Sequence, residues 1–162
     1  MESAFDAFYR AHYAHVLRYA IRRLADLETA KEVTAECFVI AWQKFDEREP
    51  FALPWLYSTT RNLIGNAYQK RERERRLMDA LQSEAAVQPR ESDLSDVRDA
   101  LQRLSELDRE ALLLTYWEQL SAADVAQVMD CSEQAAWKRI SRARTAIRTA
   151  LIEERRREGA ER

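Results

Sequence analysis

Residues 121–147 read SAADVAQVMDCSEQAAWKRISRARTAI. Ser121 stands ahead of a short helical pattern, AADVAQVM, where an N-cap belongs. Asp130 and Cys131 interrupt it, and Ser132 then precedes a longer pattern. Val125, Ala126 and Val128 or Met129 give the first segment its apolar side, while Ala136, Ile140, Ala143 and Ile147 recur at helical spacing on the second. Small Ala126 lets the two helices approach closely. Two helices joined by a three- to four-residue turn make a helix-turn-helix. Such a turn favours a left-handed backbone at one residue. With no glycine there, Asp130 is the candidate, since aspartate enters that region more readily than most side chains. The outer side of the second helix offers Gln134, Trp137, Lys138 and Ser141, with Arg139, Arg142, Arg144 and Arg148 around it. In this motif the start of the second helix enters the major groove and flanking arginines hold phosphates. Trp137 has two readings: contact with a thymine methyl or sugar edge, or packing back onto the domain. The bland alternative to the whole motif is a plain antiparallel helical pair.

The same helical character extends through the chain. Two glycines and three prolines in 162 residues leave little to break helices. No run alternates apolar and polar residues with β-branched enrichment as a strand would, so the expected fold class is all-α. A first helix is expected from about Ser3 to Leu24, anchored by Phe5, Phe8, Val16, Tyr19 and Leu24. Asp26 fits as N-cap of a second, reaching about Lys44. Its apolar stripe of Val33, Cys37, Phe38, Ile40, Ala41, Trp42 and Phe45 is broad enough to pack on two neighbours. DEREPFAL, residues 46–53, breaks the pattern as a loop, and Pro54 suits the first turn of a third helix reaching about Arg76. On that helix Asn62, Asn66, Gln69 and Arg73 share one side at steps of four, three and four. Asparagine competes with helix backbone for hydrogen bonds, so two of them one turn apart point to recognition. An ordinary exposed polar side is the alternative. Val97, Leu101, Leu104 and Leu107 restore helical spacing after residue 97, and Asp108 is placed as cap of the next helix.

Charge is uneven although the net charge is only −2. KRERERR, residues 70–76, holds five basic residues, and residues 133–148 hold five more against one acid. Residues 77–97 hold five acids and one arginine. Two basic stretches around an acidic connector fit two contacts with a polyanion, although solvated helix faces carry such charges too. Cys37 and Cys131 lie far apart among apolar residues and read as buried thiols. His12 and His15 lack further ligands nearby, so no metal is expected. No nucleophile–base pair, carboxylate dyad or phosphate-cradling loop stands out, which argues against an enzyme and gives no cofactor. The absence of a signal peptide or a long apolar run predicts a cytoplasmic protein without membrane insertion.

Three blocks in order carry a family resemblance: ETAKEVTAECFVIAWQKF (28–45), PWLYSTTRNLIGNAYQKRERERR (54–76), and LSELDREALLLTYWEQLSAADVAQVMDCS followed by WKRISRARTAI (104–147). The chain resembles a bacterial RNA polymerase sigma factor of the extracytoplasmic-function (ECF) type. The resemblance implies a polymerase-binding and minus-ten domain over 1–76, a flexible acidic linker over 77–97, a minus-thirty-five domain over 98–152 and a charged, frayed tail over 153–162. It places Glu32, Val33, Glu36 and Phe38 against core polymerase. It places Phe45, Asp46, Phe51, Arg61, Asn62, Asn66, Gln69, Lys70 and Arg73 on the minus-ten element, with the loop before the third helix capturing a flipped base. Minus-thirty-five contacts fall to Ser132, Gln134, Trp137, Lys138, Arg139, Ser141, Arg142 and Arg144. Implied partners are core RNA polymerase, through its clamp helices and flap, promoter DNA, and an anti-sigma factor of the kind that commonly restrains the family. The rival reading is a stand-alone helix-turn-helix regulator, which leaves the asparagine side and the linker without a role.

Overall fold

Ser3 starts the first helix through a reciprocal cap. Its hydroxyl accepts the Asp6 N–H and the Asp6 carboxylate accepts the Ser3 N–H, both at 3.1 Å. The structure, a computed structural model, describes residues 3–80 and 95–160. These form helices α1 (Ala4–Arg23), α2 (Leu27–Gln43), α3 (Leu53–Asp79), α4 (Ser95–Arg103), α5 (Glu106–Tyr116), α6 (Ala122–Met129) and α7 (Glu133–Ala160). There is no strand among the described residues, as the all-α reading expects. The chain divides into two units, residues 1–85 and 86–162.

The first unit packs α1, α2 and α3 against one another. Asp26 caps α2 by accepting the Glu28 and Thr29 N–H groups, and Pro54 sits in the first turn of α3, where its missing N–H leaves no bond unmade. Val16, Tyr19, Ala30, Cys37, Leu56 and Tyr57 are buried at the centre, with the Tyr19 and Tyr57 rings stacked 4.9 Å apart. Two threonines lie in this core without stranding a polar group. Thr34 and Thr60 each donate at 2.7 Å to the carbonyl four residues back, of Ala30 and Leu56. Cys37 is the buried thiol expected; burial pushes its pKa up. Cys131 is not: it is half-buried, in the turn after α6.

The second unit gathers α4, α5 and α6 around α7. Leu104, Leu112, Ala143, Val125, Ala126, Ala136 and Ile140 form its buried interior, with Ile147 partly buried beside them. The break between α4 and α5 falls earlier than the leucine spacing implied. Ser105 is the cap, accepting the Asp108 N–H at 3.2 Å, so Asp108 belongs to the first turn of α5. Arg109 seals the corner by donating to the carbonyls of Leu101, Gln102 and Leu104 at the end of α4, where the Leu101 carbonyl also accepts the Leu104 N–H at 3.3 Å. Ser121 caps α6 and Ser132 accepts the Ala135 N–H at the head of α7. Asp130 is left-handed, φ 51° and ψ 54°, as the turn requires.

Most of the acidic linker expected over 77–97 lies outside the described residues. Its ends do not: residues 77–79 continue α3 and residues 95–97 open α4. The tail expected to fray from residue 153 is helical, because α7 runs to Ala160.

Candidate nucleic-acid interfaces

On α3 the buried side is Leu56, Tyr57, Thr60, Leu63 and Ile64. Helical geometry then turns Asn62, Asn66, Gln69 and Arg73 outward, and all four are exposed. Lys70 is exposed beside them, and Arg61 is half-buried. The basic run is less available than its composition implies. Arg71 binds Asp26 at 3.2 Å and the Thr29 hydroxyl at 2.5 Å. Arg75 and Arg76 reach Glu72 at 2.9 and 3.3 Å, and the Arg75 hydrogen bond leads in holding the Glu72 carboxyl below its usual range. Tyr68 donates its hydroxyl to the Arg23 carbonyl. Tyr68 and Arg71 therefore brace α3 against the α1–α2 corner, while Arg75 and Arg76 pair within α3.

The loop of residues 44–52 is held at both ends by aromatic rings. Phe45 meets Phe5 edge-on at 5.2 Å and lies 5.3 Å from Phe8. Phe51 stacks on Trp55 at 4.0 Å and 13°. Phe45 and Phe51 are half-buried, whereas residues 46–50 are exposed. Asp46 shapes the turn: its carboxylate accepts the Arg48 N–H at 2.9 Å and its carbonyl the Glu49 N–H at 3.2 Å.

The α2 surface differs from the one assigned by sequence. Val33 and Phe38 are only 4% exposed, because they fill the three-helix core; neither has a surface to offer a partner. Glu32 and Glu36 are exposed. Trp42, placed in the packing stripe by its spacing, stands outside with them at 65% exposure, and so does Val39 at 53%. Glu32, Ala35, Val39 and Trp42 follow one another at steps of three, four and three. Exposed Val39 and Trp42 beside Glu32 and Glu36 make a mixed apolar and acidic strip, a composition that suits a protein partner better than the phosphates of DNA.

On α7 the exposed side carries Gln134, Trp137, Lys138, Ser141, Arg142 and Arg144, and Ser132 is exposed at the head of the helix. Trp137, at 54% exposure, does not pack back onto the domain. Arg139 does turn inward: its side chain is 26% exposed and reaches Asp108 at 3.5 Å. Arg142 binds the same carboxylate oxygen at 3.0 Å while staying 63% exposed. Arg144 lies over the Tyr116 ring, 5.6 Å from its centre.

Two exposed polar helix faces, one in each unit, and an exposed apolar and acidic strip on α2 fit a DNA-recognition subunit that works with a protein partner. The family profile Sigma-70 region 2 matches residues 8–74, and Sigma-70, region 4 matches residues 94–147. A probable RNA polymerase sigma factor, RfaY, of Xanthomonas campestris is 32% identical over 85% of this chain, which spans 38% of that relative's length. The ECF RNA polymerase sigma factor EcfG of Rhodopseudomonas palustris is 30% identical over 82% of this chain and 77% of its own. The sigma factor RpoE of Bartonella quintana, solved with the anti-sigma factor NepR, is 26% identical with a TM-score of 0.68, covering 91% of this chain and 96% of that one. The chain belongs to the ECF RNA polymerase sigma factors. It is thus an alternative sigma factor, a specificity subunit of transcription initiation, and the stand-alone regulator is not favoured. Among the described residues no helix is long and apolar enough to cross a membrane.

Proposed function

We propose that the chain recruits core RNA polymerase to promoters and opens them, with the work divided among three surfaces. The exposed strip of Glu32, Glu36, Val39 and Trp42 docks on the polymerase. The α3 side bearing Asn62, Asn66, Gln69 and Arg73 reads the minus-ten element, with the exposed loop residues 46–50 receiving an extruded base. The α7 side bearing Gln134, Trp137, Lys138 and Arg142 holds the minus-thirty-five element. The observation that carries this reading is the outward pair Asn62 and Asn66, one turn apart on a helix whose neighbouring residues brace it.

The chemistry is binding free energy directed into strand separation. Extruding a base costs on the order of a few kcal/mol, which contacts to the unstacked base offset. An asparagine pairing with an adenine edge contributes about 1–3 kcal/mol of discrimination. Neither step calls for a catalytic group or cofactor in this chain, and partnership with core polymerase places it in the cytoplasm. A domain organisation of 1–76, a linker and 98–152 follows from the same reading. The Bartonella relative's complex with an anti-sigma factor supports an equivalent restraint here.

Permanganate footprinting of open complexes tests the assignment. Asn62→Ala should lose reactive thymines at the promoter start while co-purification with core polymerase stays intact. Equal loss of both would sink the division of labour.

A further inference from the structure

The minus-thirty-five side of α7 has a support that lies on another helix. Gln134, Lys138 and Arg142 follow at steps of four, so Arg142 continues the line of the reading residues. Its guanidinium is bound at 3.0 Å by Asp108, the side chain of which is 13% exposed against 63% for Arg142. Asp108 is itself held, because its N–H is taken by the Ser105 cap of α5. An arginine offers five donors in a rigid fork. One nitrogen on Asp108 leaves the other donors of this largely exposed guanidinium for a second acceptor, such as a phosphate oxygen. A long side chain fixed before binding loses less freedom when it binds.

We infer that Asp108 is a positioning residue for DNA binding: it fixes the Arg142 guanidinium so that its outer edge meets a backbone phosphate. Arg139 reaches the same carboxylate oxygen at 3.5 Å. The inference rests on the reading of α7 as a DNA-contacting helix.

The test is a double-mutant cycle on the full chain binding a short mixed-sequence DNA duplex over a range of salt concentrations. Arg142→Ala should weaken binding about three- to tenfold and reduce the salt slope by about one unit. Asp108→Ala should weaken it by a similar factor, and the double variant should be no weaker than Arg142→Ala alone. Asp108→Asn keeps the side chain's shape and is run in the same cycle, so unfolding of the alanine variant leaves the test intact. Its loss, too, should vanish in the Arg142→Ala background. Tighter binding by either Asp108 variant would show a competitor for Arg142 and overturn the inference, as would losses that multiply in the double variant. An Arg142→Ala variant that binds like the parent would instead overturn the DNA reading of α7, and the inference with it.

Discussion

Arg71, near the start of the basic stretch 70–76, points its guanidinium at Asp26, the residue that caps α2. The Thr29 hydroxyl takes the same guanidinium nitrogen, and the Thr29 hydrogen bonds lead in holding the Asp26 carboxyl below its ordinary range. The contact joins the start of α2, the helix proposed to dock on polymerase, to α3, the helix proposed to read DNA. Arg71 is therefore a strut, whereas Arg73, two residues on, is on the outer side with Asn62 and Asn66.

The two arginines should separate in one experiment. With core polymerase and the single non-template strand of a minus-ten element, Arg73→Ala should lower the salt slope of binding by about 0.7. Arg71→Ala should leave the slope unchanged. A slope lost with Arg71 and kept with Arg73 would reverse the assignment.

Core and surface on α2 should likewise part. Phe38→Ala empties a buried site and should cost about 3–5 kcal/mol in urea unfolding. Trp42→Ala, on an exposed side chain, should change stability by less than about 0.5 kcal/mol. Its affinity for core polymerase should nevertheless fall by about tenfold or more, as at a docking anchor. Normal affinity for that variant would remove the strip from the interface.

His12 gives the first unit a pH dependence. It lies on the Phe8 ring with centroids 4.7 Å apart, and burial, helped by the nearby His15 charge, lowers its pKa below the usual 6.5. The unfolded chain then takes up the proton first as pH falls. Stability is accordingly full above about pH 6.5 and declines as pH drops toward the folded value. Urea midpoints at pH 7.5 and 5.5 should show this decline, and His12→Gln should flatten it. Persistence of the same decline in that variant would assign it to other groups.

Helix starts were legible in the sequence because caps are local chemistry. Ser3, Asp26, Ser121 and Ser132 each bind a backbone N–H two or three residues ahead, and no distant partner is needed. Asp130 was legible for the same reason. Gln119, the other left-handed residue with φ 55°, gave no such signal, since glutamine carries no preference for that backbone. Facing was harder to read. Spacing puts both Phe38 and Trp42 in the packing stripe of α2, yet Phe38 is buried, against the polymerase contact the resemblance implies, and Trp42 is exposed. Ion pairing was hidden altogether: Asp108 and Arg142 are 34 residues apart, and only the crossing of α5 with α7 brings them together. Sequence thus overstated the free positive charge on α3 and α7.

The most direct measurement is run-off transcription with purified core polymerase and a library of promoters from the source genome. Adding the chain should yield discrete, promoter-dependent transcripts that Asn62→Ala diminishes and Arg71→Ala spares. A preparation that binds core polymerase yet yields no chain-dependent transcript from any promoter would contradict the assignment of these surfaces.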